Sequence, residues 1–83
     1  MTISELIRSF RGERTRAAYA RAIDVSSAAV HKLEAGEIRP SLTLTARICR
    51  DAGLTKRQRC GFLELLMVAA ERADIAKQAR ESA

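Results

Sequence analysis

Eighty-three residues leave room for one small domain and one core. Few aromatics, one proline and many alanines and leucines favour helices over a sheet, and no apolar run approaches the length of a membrane span. A net charge of +5 and a pI near 10.0 suit a nucleic acid or another anionic partner, and equally a basic surface that only meets water.

Ile3, Leu6, Ile7 and Phe10 recur at i, i+3, i+4 and i+7 and so predict a first helix. Thr2 and Glu5 stand at capping-box spacing before it, and Gly12 ends it. Thr15 is the candidate N-cap of a short second helix, RAAYARAI, with Tyr19, Ala20 and Ile23 facing inward. Asp24 and Val25 make a tight turn. Ser26 caps a third helix running to about Glu34, with Ala29, Val30 and Leu33 on its inner face and Gly36 as its stop signal. The stretch EIRP is a loop, because Arg39 precedes proline and is pushed out of helical geometry. Ser41 caps a fourth helix that ends at Gly53.

Thr55 and Gln58 form a second capping box and open the last and longest helix, to about Arg72 or beyond. Phe62, Leu63, Leu65, Leu66, Met67, Val68, Ala69 and Ala70 make it apolar around most of its circumference. Such a helix must be buried on most sides. Four short helices cover one side, so the other needs a partner or a fold-back of the tail. Gly61 costs about 1 kcal/mol of helix propensity against alanine, for which close helix packing is one reason. The final ARESA is expected to fray. No linker or repeat divides the chain, so residues 1–83 are read as a single all-α domain.

Charge is distributed unevenly. Residues 1–60 hold twelve Lys and Arg against six Asp and Glu, whereas residues 61–83 hold three against four. The basic excess therefore belongs to the first two thirds of the chain, and the tail presents a different surface. Cys49 and Cys60 lack metal-ligand spacing and His31 is the only histidine, so no metal or cofactor is expected and both thiols are read as reduced. With no glycine-rich phosphate loop and no paired carboxylates in a motif, no catalytic constellation is present and no enzyme is expected. Glu5 and Arg8 interrupt the first apolar residues, so no secretory leader is expected either, and the protein is read as cytoplasmic, without a membrane partner.

A short helix, a three-residue turn and a second short helix have helix-turn-helix spacing. Ala20 is small where the two helices cross, and Asp24 sits where the turn needs a left-handed residue. The stretch TRAAYARAIDVSSAAVHKLEAGEIRPSLTLTARICRDAGL, above all VSSAAVHKLEAGEIRPS, resembles the XRE or Cro/repressor-type helix-turn-helix family of phage and plasmid regulators. The resemblance covers roughly residues 3–55 and implies a compact, lambda-repressor-like bundle of four or five helices whose third helix enters the DNA major groove.

By that resemblance the base-reading positions fall on Ser27, Ala28, His31 and Lys32. The phosphate positions fall on Arg16 at the start of the second helix and on Glu37, Ile38 and Arg39 after the third. Arg14 joins them on its charge and place, although a solvated arginine reads the same way. Arg16 stands where the family often has glutamine, Asp24 replaces glycine, and Thr45 and Ala52 replace bulkier residues, with Leu44 and Phe62 available to compensate. Ser26 is read as an N-cap only, and Glu34 as structural, bonding the neighbouring loop or an arginine.

Leu66, Met67 and Ala70 are the candidates for an interface on the last helix. Two functions fit. One is a sequence-specific DNA-binding regulator, a homodimeric repressor of mobile-element type. The other is an antiactivator or antitoxin that keeps the scaffold and docks its apolar last helix on another regulatory protein.

Overall fold

The computed structural model describes residues 1–82, which form five helices and, among the described residues, no strand. They are α1 (Ile3–Arg11), α2 (Arg16–Ala22), α3 (Ser27–Glu34), α4 (Leu42–Ala52) and α5 (Lys56–Ser82). Each start is fixed by local chemistry. The hydroxyls of Thr2, Thr15, Ser26 and Ser41 accept from the amides of Glu5, Ala18, Ala29 and Leu44 at 3.1–3.2 Å. At α5 the box is reciprocal: Thr55 Oγ1 accepts from the Gln58 amide at 3.2 Å, and Gln58 Oε1 accepts from the Thr55 amide at 2.9 Å. Gly53 closes α4 in the left-handed conformation, φ 64°, ψ 38°.

The amphipathic faces meet in one core of Ile7, Tyr19, Ala20, Ile23, Val30, Leu33, Ile48, Cys49 and Phe62. α1 lies against α3, α4 and α5, and α2 lies against α3. Phe62 is the α5 residue buried in that core. Its ring meets that of Phe10 edge to face, with centroids 5.9 Å apart. Thr45 is buried at a position where bulk was expected, and its hydroxyl donates to Ser41 O at 2.8 Å, so the polar atom is satisfied.

Three features of α5 differ from expectation. It continues as helix to Ser82, Ala83 of the ARESA stretch lying outside the described residues, and every residue from Ala70 to Glu81 is exposed. Gly61 makes no close packing contact, since a Cβ built there would meet nothing within 4 Å. Leu66 is turned onto the core and half-buried, whereas Leu63 and Met67 face out, 38% and 59% exposed. An apolar run without a period leaves that choice to packing.

Candidate nucleic-acid interface

The turn between α2 and α3 sets the angle of the second helix. Asp24 holds φ 58°, the one positive φ outside glycine among the described residues. Its short polar side chain tolerates the left-handed conformation that a branched residue would resist. The chain then doubles back, with the Val25 amide donating to Ala20 O at 2.9 Å. Ala20 is buried at that crossing.

α3 is anchored by Val30 and Leu33, both buried. Its opposite face carries Ser27, Ala28, His31 and Lys32, all exposed. Their spacing of one and four residues places them together on one side of the helix. Beyond the helix, Gly36 at φ 76° turns the chain, and Glu37, Ile38 and Arg39 are exposed in the loop that follows.

Glu34 organises the surroundings. Its side chain is 1% exposed and faces three arginines. Arg11 donates to Oε1 from Nε at 3.1 Å and from Nη2 at 2.8 Å. Arg16 donates from Nε to Oε2 at 3.2 Å. Arg8 lies 3.7 Å from Oε1 and donates from Nη2 to the Glu34 carbonyl at 3.3 Å. Burial pushes the Glu34 carboxyl up, but the hydrogen bonds and charge of Arg11, then those of Arg16, outweigh it and hold the group below its ordinary value. Three guanidinium groups against one carboxylate leave this junction of α1, α2 and α3 net positive. Arg16, half-exposed at the first position of α2, is the member of the cluster nearest the start of that helix.

Arg14 is held differently. Its guanidinium forks onto Asp51, with Nη1 to Oδ1 at 3.3 Å and Nη2 to Oδ2 at 2.9 Å. It also lies 4.8 Å from the centre of the Tyr19 ring. Burial, then the charge of Asp51, pushes the Tyr19 hydroxyl up to about 12, against the opposing pull of Arg14. The structure thus brings Ser27, Ala28, His31 and Lys32 onto one open face, sets Arg16 beside Glu34 and commits Arg14 to Asp51. Sequence reasoning passed over Arg11 and Asp51. The partners lie 23 and 37 residues apart, and no local spacing connects them.

Two helices joined by the four residues Ile23 to Ser26, the second helix with a buried inner face and an open outer one, define a helix-turn-helix protein. A family model described as "Helix-turn-helix domain" matches residues 3–60, and the chain belongs to this family, in its XRE-like branch. No curated protein and no solved structure matches the chain significantly. Among the described residues, no helix is long and apolar enough to cross a membrane.

Proposed function

We propose that the chain is a sequence-specific transcriptional regulator, a dimeric repressor of the kind carried by phages, plasmids and other mobile elements, acting in the bacterial cytoplasm. The observation that carries this reading is the open face of α3, flanked by a net positive junction. Its first turn is small. Ser27 offers a hydroxyl to a base edge, Ala28 a methyl to thymine, and His31 and Lys32 reach one turn further. Arg16 and Arg39 serve phosphates, and the exposed loop residues Glu37 and Ile38 lie beside the same backbone, the Glu37 amide being held by Lys32 O at 2.9 Å. Arg14 is held on Asp51, so a phosphate contact there competes with that pair.

Residues 1–55 form the DNA-binding part of a single domain, and α5 pairs two copies. A two-fold dimer sets its α3 helices roughly 34 Å apart, one turn of DNA, and calls for a near-palindromic operator. A mobility-shift titration on the DNA upstream of its own gene, at low and raised salt, tests this. A shift at low protein that weakens steeply with salt supports the reading.

The exposed Leu63 and Met67 also favour a second reading, in which α5 docks on another regulatory protein. Absence of any DNA shift, together with loss of a co-purifying regulator when Met67 is charged, would select it.

A further inference from the structure

Nearly half of α5 lies outside the packed bundle. Ala70 to Glu81 is exposed at every residue, so roughly 18 Å of helix stands clear of the core. A helix that short is marginal in water by itself. The outward face of α5 gives a use to its anchored half and to the first turn beyond it, as far as Asp74. Lys56, Cys60, Leu63, Met67, Ala70 and Asp74 recur at alternating spacings of four and three, and all six are exposed. That is the seam of a coiled coil. It is basic at its start, apolar in the middle and acidic at its end. Along one edge run Arg57, Glu64 and Glu71, seven residues apart and also exposed.

We propose that this seam binds a second copy of the chain with its α5 antiparallel and in one register: Lys56 meets Asp74, Cys60 meets Ala70 and Leu63 meets Met67. The inference rests on the dimer reading and adds to it the direction, the register and the residues that select them. In a parallel pair Lys56 would face Lys56 and Asp74 would face Asp74. Antiparallel, each basic end finds an acidic one, and on the edge Arg57 meets Glu71 of the second copy.

Sliding by seven residues either sets Leu63 against Asp74 or sets Lys56 against Met67, so only one register matches charge with charge and apolar with apolar. A groove of about 650 Å³ lies beside the seam, between α4 and α5, with Leu42, Ala46 and Cys49 along it and Leu63 at its edge. The second copy's Ala70 and Ala73 are small enough to run along it. In this register one like-charged meeting remains, Glu64 with Glu64 of the second copy.

Sedimentation of the full chain without DNA tests the proposal. The variant carrying Lys56→Glu and Arg57→Glu, and the variant carrying Glu71→Lys and Asp74→Lys, should each dimerise at least about tenfold more weakly than the wild type. An equimolar mixture should recover a heterodimer of near wild-type affinity, because every charge pair is then restored in reversed or original form. Glu64→Gln should tighten the homodimer. Circular dichroism should show the folded core intact in every variant, since all five positions are exposed, with any loss of helix confined to the tail of the monomeric ones. A mixture that stays monomeric, or variants that dimerise like the wild type, would overturn the register while leaving the dimer. Weaker association of Glu64→Gln would also overturn it, because Glu64 meets Arg57 when the helices slide toward the shorter overlap. A wild type that stays monomeric at tens of micromolar would overturn the dimer itself. None of these results bears on DNA binding by α3, which the mobility shift reads separately.

Discussion

Arg11 grips Glu34 through two nitrogens on one carboxylate oxygen, Nε at 3.1 Å and Nη2 at 2.8 Å, and so pins the end of α1 to the end of α3. The same carboxylate holds Arg16 of α2 through its other oxygen. The placement of α3 therefore depends on a buried charge that three arginines compensate.

Glu34→Gln should destabilise the protein by about 1–3 kcal/mol, because it removes charged hydrogen bonds from arginines that water only partly solvates. Urea denaturation at neutral pH measures it. A loss within about 0.5 kcal/mol, the range of an ordinary surface substitution, would show that the cluster is screened by solvent and structurally idle.

The same group should make stability depend on pH. Its folded value lies below the ordinary 4.5, so its contribution is complete above that value and fades as pH falls through the folded one. Wild-type stability should decline more steeply below about pH 4.5 than that of Glu34→Gln. Equal declines in both chains would assign the acid sensitivity to other carboxylates.

Gly61→Ala should stabilise the chain by about 1 kcal/mol, raising Tm by roughly 4–8 °C. The site is helical, and the added methyl meets nothing within 4 Å. A fall in Tm would reveal a contact made there by a second copy.

The Tyr19 hydroxyl is buried and is the one such side-chain polar atom without a hydrogen-bond partner among the described residues. Tyr19→Phe should therefore leave stability unchanged or raise it by up to about 1 kcal/mol. Tyr19→Ala should cost about 3–5 kcal/mol, through the cavity and the lost platform for Arg14. A large loss in the phenylalanine variant would mean that the hydroxyl has a partner in solution.

Arg39→Ala should weaken binding to cognate and random DNA alike and flatten the salt slope by roughly one unit. Replacing Ser27 and Lys32 should instead cost roughly 1–3 kcal/mol per lost base contact on the operator, and little on random DNA. Quantitative mobility shifts on both DNAs separate the two. The reverse pattern would exchange their roles.

The five helices, their caps and the turn were legible in the chain, because those signals act over three or four residues. Thr2, Thr15, Ser26, Ser41 and the Thr55–Gln58 pair each bond within that reach, and Asp24 takes its left-handed conformation in a turn made by its near neighbours. The sequence also marked the open face of α3, since burying Val30 and Leu33 leaves Ser27, Ala28, His31 and Lys32 on the other side of a regular helix. Tertiary structure alone decided which arginines Glu34 and Asp51 would hold, because those partners are 18 to 37 residues apart and meet only once the helices have packed. It also decided the facing of α5. A continuous apolar run carries no period, so the position of Phe62 against Phe10 turned Leu66 inward and left Leu63 and Met67 to the surface.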